Sequence, residues 1–199
     1  AAATSRPASS SAVRRLDPAL FHALQPSLMP EDVPTVATCY DLVPQVYARE
    51  YLSGPGRAGE ARAYARYMRR LADAILVMAP SRETADDLVQ VAGLDRGRIR
   101  VVPLAAPLPI PAAGEVPPGD YVLFSGSLEP HKNARLVIAA MAHAPASVRL
   151  VMTGPWSSRR VSRLQRFAEA VDAAHRVVWL GYVAAERLAA LRANALALV

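Results

Sequence analysis

At 199 residues, 52% of them hydrophobic and 20% charged, the chain has the composition of a globular protein, with room for one good core or for parts of two domains. The net charge of +6 rests almost wholly on arginine; read as genome composition, it does not argue for nucleic-acid binding, although a mildly basic surface suits anionic ligands or an anionic membrane face. The single cysteine, Cys39, excludes an internal disulfide and a cysteine-cluster metal site, and its apolar neighbours predict a small buried side chain.

The opening, AAATSRPASSSAVRRLD, lacks an initiator Met and an apolar h-region, so it does not read as a signal peptide. It is Ala/Ser-rich and expected to be loose. FHALQPSL follows, and then Val33 to Cys39 reads as a short buried strand with Tyr40-Asp41 at its carboxyl edge. In open α/β sheets ligands gather at that edge, which singles the dipeptide out. Pro44 is expected to break the chain. Arg57 to Leu71 has helical spacing, with Ala61, Tyr64, Ala65, Met68 and Leu71 on one face. Strands are predicted at Ala74 to Met78 and Arg100 to Val102, with a helix between them capped by Ser81 and closed at Gly93. The alternation points to a parallel sheet.

The proline-rich stretch from Pro103 to Gly119 reads as a linker, because proline neither donates to a sheet ladder nor sits inside a helix. Beyond it strands are predicted at 121–125, 148–153, 177–180 and 195–199, and helices at 133–143, from about 160 to 171, and at 185–194. Glu169 and Asp172, at i, i+3 among arginines, read as a solvated helix face. The histidines His22, His131, His143 and His175 show no ligand spacing. No stretch approaches the roughly 18 apolar residues of a membrane span, and the apolar ending ALALV leads to the expectation that the chain is a segment of a longer protein.

The most informative stretch is Tyr121 to Asn133, YVLFSGSLEPHKN. An apolar strand runs into Ser125-Gly126-Ser127, crosses a short polar connection and reaches a helix-like pattern at Asn133. Unpartnered amides and the dipole at a helix start favour anions, and Lys132, the one lysine of the chain, stands there. The P-loop pattern is not met, since His131 and Asn133 flank the lysine, and the GxGxxG fingerprint is absent. Strand, Gly126, Lys132 and helix in that order suggest a phosphate site. The plainer reading is a tight turn beside a solvated cation.

GSLEPHKN followed by a helix resembles the start of the nucleotide-sugar-binding domain of family 4 retaining glycosyltransferases, which have the GT-B fold. RLVMTGP (149–155), RVVWLGYVAAERLAALRANALALV (176–199) and TVATCYDLVPQVYAREYL (35–52) fall in the same order and spacing. The resemblance implies two Rossmann-like, doubly wound parallel-sheet domains, both incomplete here: the later part of an acceptor domain over 1–105, a linker over 106–119, and the first part of a donor domain over 120–199. It places Gly126, Ser127, His131 and Lys132 at the donor diphosphate, Gly154, Gly181, Tyr182 and Val183 at the nucleotide, and Tyr40 and Asp41 beside the transferred sugar.

Three positions depart from the family pattern. Ser127 stands where one subgroup has an arginine, and His131 where another has one, so the second cation depends on protonation. Tyr40 stands where the family has histidine, although some subgroups carry YDL.

The implied reaction is transfer of a sugar, mannosyltransferase-like in pattern, from a nucleotide diphosphate sugar to a saccharide or lipid-linked acceptor, with retained configuration. It belongs to polysaccharide or glycoconjugate assembly in the cytoplasm, with peripheral contact to the inner membrane face left open. The resemblance implies neither a bound metal nor a cofactor, and no nucleic-acid partner. The segment alone is expected to be inactive, because the family's glutamate pair and its N-terminal glycine loop are not in it. The alternative is a non-catalytic nucleotide-binding or scaffold protein derived from the same fold.

Overall fold

The structure is a computed structural model that describes residues 13, 15–25, 29–30, 32–106 and 108–199. The expected loose start and the end of FHALQPSL fall largely outside these residues. The chain divides into two compact units, Ala1–Ala106 and Pro107–Val199. Each holds a four-stranded, all-parallel sheet, as the alternation of short apolar runs and amphipathic segments requires.

In the first unit β1 (Phe21–Ala23), β2 (Thr35–Thr38), β3 (Leu76–Ala79) and β4 (Ile99–Val101) lie side by side in chain order. Two short helices, α1 (Val43–Val46) and α2 (Ala48–Tyr51), follow β2. Pro44 therefore does not break the chain. It sits in the first turn of α1, where its missing N–H would have had no helical partner. The long helix α3 (Ala58–Asp73) buries Leu71 and packs Tyr64, Tyr67 and Met68 on the sheet, leaving its arginines outside. The next helix, α4 (Arg82–Gln90), starts at Ser81, whose hydroxyl accepts from the Thr84 amide at 3.2 Å. Its Ala85 and Leu88 complete a core with Ala37, Cys39, Val77 and Ile99.

In the second unit the sheet order is β7-β6-β5-β8. The first strand, β5 (Tyr121–Ser125), is central; β6 (Arg149–Thr153) and β7 (Val177–Gly181) extend to one side and β8 (Ala197–Leu198) to the other. Both faces are covered. Phe124, Leu150 and Met152 pack under α5 (Ala134–Ala140) and α6 (Ser158–Ala170). Tyr121, Leu123 and Val151 pack under α7 (Ala185–Asn194) through Leu188 and Leu191. The Tyr121 hydroxyl, buried in that layer, donates to the Leu191 carbonyl at 2.8 Å. Residues 113–115 of the proline-rich stretch are strapped to α7, the Ala113 amide donating to the Glu186 carbonyl and the Arg187 Nε to the Glu115 carbonyl. Arg176, only 8% exposed, donates to the carbonyls of Met141, Ala144, Pro145 and Val148 and so ties the segment after α5 to the start of β7.

Candidate functional site

The chain changes direction at β5: its next two strands go one way and β8 goes the other. Loops leaving the carboxyl ends on either side of such a switch diverge, and the crevice they leave is where open α/β sheets bind ligands. The loop from β5 opens at that point, and it carries Gly126, Ser127, Glu129, His131 and Lys132.

Three glycines close the ends of β5, β6 and β7, and the structure joins them in a row. The Gly126 amide donates to the Thr153 carbonyl at 3.0 Å, and the Gly154 amide to the Gly181 carbonyl at 2.9 Å. The Thr153 hydroxyl also donates to the Gly181 carbonyl, at 2.6 Å. A register shift between Met152 and Thr153 admits an extra residue on β7, a bulge that turns Gly181 toward its neighbour. Gly181 has φ +66°, a left-handed conformation that favours glycine.

A Cβ on Gly126 would meet nothing within 4 Å, whereas one on Gly154 would lie 2.0 Å from the Gly126 carbonyl oxygen. Gly154 is the close-approach glycine. Trp156 seals the contact, its Nε1 donating to the Gly126 carbonyl at 2.7 Å and its ring meeting Trp179 edge-on at 6.0 Å. An open cleft of about 600 Å³ lies alongside, between Gly154, Trp156, Ser158, Gln165, Gly181 and Tyr182. Tyr182 is 79% exposed, while Val183 packs inward with the α7 layer.

The helix expected from Asn133 begins one residue later, at Ala134, and Lys132 lies before it in a separate turn. Pro130–Lys132 form a 3-10 turn in which the Lys132 amide is bonded to the Glu129 carbonyl at 3.0 Å. Asn133 then takes φ +47°, and only after it does α5 begin. Proline at the head of the turn fixes its entry, and asparagine is among the residues that tolerate the left-handed exit. Lys132 is exposed on this turn, just before a helix of seven residues. Its ammonium, rather than a long helix dipole, is what the loop offers an anion. Arg135, one step into α5, lies over the Phe167 ring at 4.2 Å. Glu129 forms an ion pair with Arg160 from the first turn of α6. Asp172, expected on the helix with Glu169, lies past its end with φ +53°.

In the first unit Tyr40 and Asp41 follow β2 and face a cleft of about 350 Å³ whose walls include Gln25, Thr38, Tyr64 and Tyr67. Tyr40 is 47% exposed. The Asp41 carboxylate accepts from the Val43 amide at 3.0 Å, which fixes its direction. Behind it Cys39 is fully buried; its thiol donates to the Asp41 carbonyl and accepts from the Tyr67 hydroxyl, both at 3.4 Å. Burial pushes the Cys39 thiol up, more than the Tyr67 hydroxyl bond holds it down. Tyr64 and Tyr67 stack at 5.4 Å, and burial, with Cys39 next, drives both phenols far above their ordinary range. The Tyr64 hydroxyl is buried without a partner; the Gln45 amide near it donates instead to the Leu42 carbonyl.

Sequence reasoning did not single out Trp156, Arg160, Glu129, Tyr64 or Tyr67 as site residues. An indole two positions after a strand-end glycine was the available signal for Trp156. The others are visible only once the loops are folded. Among the described residues no group of three or more His, Cys, Asp or Glu side chains could hold a metal ion, and no helix is long and apolar enough to cross a membrane.

Residues 2–108 match the family model described as Glycosyltransferase Family 4, and residues 111–199 the model described as Glycosyl transferases group 1. A curated D-inositol 3-phosphate glycosyltransferase of Xylanimonas cellulosilytica is 31% identical over 131 residues, covering 57% of this chain and 31% of that protein. The crystal structure of Anabaena Alr3699/HepE in complex with UDP-glucose superimposes with a TM-score of 0.69 at 17% identity, covering 95% of this chain and 55% of that one. A glycosyltransferase structure from Rickettsia africae gives a TM-score of 0.57 at 11% identity, over 94% of this chain and 52% of that one. The two solved proteins share the fold, and the chain spans about half of their length and about a third of the curated relative's.

Proposed function

Because the chain belongs to glycosyltransferase family 4, we propose that its protein transfers a sugar from a nucleotide diphosphate sugar to a saccharide or lipid-linked acceptor, with retained configuration. In this reading the second unit holds the donor and the first unit the acceptor side. The observation that carries it is the row of glycine strand ends at the switch point, with the exposed Tyr182 following β7 and Lys132 on the loop that follows β5. Lys132 meets the diphosphate, with Gly126, Ser127 and His131 forming the floor of its loop. Gly154 and Gly181 let the nucleotide approach the backbone, while Tyr182 and Val183 border its base. A leaving diphosphate gains charge as the glycosidic bond breaks, so a fixed cation and oriented backbone groups act where that charge develops.

Tyr40 supplies a neutral hydroxyl, and Asp41 an oriented carboxylate, at the edge that meets sugar hydroxyls. Tyr64 and Tyr67 line the same cleft with aromatic rings and Gln25 adds an exposed amide, a lining suited to a polyhydroxylated ligand. The setting that fits is the cytoplasmic side of polysaccharide or glycoconjugate assembly, with peripheral membrane contact when the acceptor is lipid-linked. Ser127 and Tyr40, both uncharged, favour a second reading, a nucleotide-binding protein without turnover. Measurable sugar transfer by the full-length protein rejects that second reading.

The test is calorimetry on the full-length protein at fixed salt, with wild type, Lys132→Ala and Arg135→Ala. Losing one charge-assisted hydrogen bond of about 1.5–3 kcal/mol weakens nucleoside diphosphate binding roughly 10- to 150-fold. The nucleoside, which has no phosphate, should bind both proteins alike. Arg135, engaged over Phe167, is the control and should change little. Equal losses in the two variants indicate a diffuse field, and no loss in Lys132→Ala removes that residue from the site.

A further inference from the structure

Resting on that reading of the donor loop, we propose that Arg160 of α6 is a second cation of the diphosphate site, aimed at it by Glu129. The argument starts from charge. A nucleoside diphosphate is multiply anionic at neutral pH, and the loop that meets it carries two fixed charges, Lys132 and Glu129, which cancel. Ser127 adds none. On its own the loop therefore presents no net fixed positive charge, which is a poor complement to a diphosphate.

The structure brings in the compensating charge from another element. Gly154 approaches the Gly126 carbonyl, Trp156 donates to the same carbonyl, and the chain then enters α6, so the first turn of that helix is drawn alongside the Gly126–Glu129 loop. From this turn the Arg160 guanidinium reaches Glu129, with Nη1 on the carboxylate. The pair is open to solvent on both sides, the side chains being 46% and 34% exposed. Nη1 of the guanidinium is engaged by Glu129, and the half-exposed side chain keeps its other N–H donors for a ligand. Guanidinium binds phosphate oxygens in pairs, and a carboxylate at one edge fixes the plane in which it does so. With Arg160 counted, the site has a net positive charge and two cations rising from separate elements. Arg160 is thus a binding residue, and Glu129 a positioning residue that acts through it.

A competing account makes the pair a tie between α6 and the loop. The two accounts predict opposite signs at Glu129. Glu129→Gln keeps an oxygen acceptor for the guanidinium and removes a negative charge from the site, so nucleoside diphosphate affinity should rise about 2- to 5-fold. Arg160→Ala should weaken it about 10-fold, the effect of one charge-assisted hydrogen bond, and leave nucleoside binding unchanged. Its melting temperature should stay near wild type, because an exposed ion pair contributes little to stability. Restoring a cation from the other side of the loop, Arg160→Ala with His131→Arg, should recover much of the loss.

The experiment is titration of the full-length wild type and these variants with a nucleoside diphosphate and with the nucleoside. Unchanged affinity in Arg160→Ala overturns the inference, as does equal weakening in Arg160→Ala and Glu129→Gln without rescue by His131→Arg. A site that depends on Lys132 but not on Arg160 overturns this inference alone. Absence of diphosphate binding by the wild type overturns the donor reading with it.

Discussion

The two sheets start from the same plan and finish differently at their carboxyl ends. Among the described residues the first unit's strands run in chain order, and its edge is furnished with side chains: Thr38, Tyr40 and Asp41 backed by Tyr64, Tyr67 and Cys39. The second unit reverses direction at β5, and there the edge is furnished with backbone: three glycines, the Gly126 carbonyl held by Trp156 and the Gly181 carbonyl by Thr153 and the Gly154 amide, and cations rising from the loop and the next helix. A backbone-built edge admits a bulky charged group close to the sheet and tolerates no added atoms. A side-chain-built edge can change its chemistry one functional group at a time. The difference is one of what each edge can afford to lose.

The sharpest way to break the comparison is to add one methyl group to the second edge. Gly154→Ala places a Cβ 2.0 Å from the Gly126 carbonyl oxygen and 2.5 Å from the Trp156 Nε1. The first contact is with backbone and no rotamer relieves it, so the loss should reach the upper end of overpacking costs, about 3 kcal/mol. Urea unfolding of the full-length protein measures it. A change under about 0.5 kcal/mol, the range of ordinary surface substitutions, would mean the strand ends can move apart.

The alkaline limb of stability should belong to the first edge. Its buried thiol holds its proton in the folded state, whereas the unfolded thiol ionises near pH 8.5. The unfolded state then binds fewer protons, so stability present below that pH declines as pH rises, by at most about 1.4 kcal/mol per pH unit for one group. Tyr64 and Tyr67, also shifted upward, add to the decline above about pH 10. Cys39→Ala should flatten the first part of the slope in a denaturation series from pH 7 to pH 10. A slope unchanged by that substitution would place its origin elsewhere.

Tyr40→Phe tests whether the first edge acts in the reaction. Losing one hydrogen bond that strengthens in the transition state should lower kcat about tenfold while nucleotide affinity stays level. An unchanged kcat leaves Tyr40 as packing. The smallest effect, and of opposite sign, is expected at Tyr64. Its hydroxyl is buried without a partner, so Tyr64→Phe should raise stability by about 1 kcal/mol. Destabilisation measured by thermal or urea unfolding would show that the hydroxyl is satisfied in solution.

Much of the fold was legible because both periodicities are strong. Tyr121–Ser125 and Ala185–Asn194 have the predicted bounds, and Ser81 caps α4 through the expected bond. What was hidden depends on contacts distant in sequence. Arg176 stands just before a predicted strand with no local cue to its burial, which follows from carbonyls about thirty residues earlier that only the folded segment after α5 presents. Gly126 drew attention because it stands in a turn, but the constraint falls on Gly154, which faces it from the neighbouring strand. Asn133 hid a left-handed break inside what reads as a continuous helix start. The positions that the resemblance assigned to donor and sugar lie at carboxyl ends of strands. Of their partners, Arg160 and Trp156 lie outside the motifs, and Glu129, although within GSLEPHKN, has no role that the motif assigns.

Trp156 and Trp179 are the only tryptophans in the chain, and they meet at the end of the second sheet with one indole bonded to the Gly126 carbonyl. Excitation selective for indole therefore reports on this one corner of the chain, while the tyrosine-lined edge of the first unit stays dark. The emission maximum and its quenching follow the polarity and solvent access of the loop that carries Lys132, so the chain has a label-free optical gauge where the nucleotide is proposed to dock.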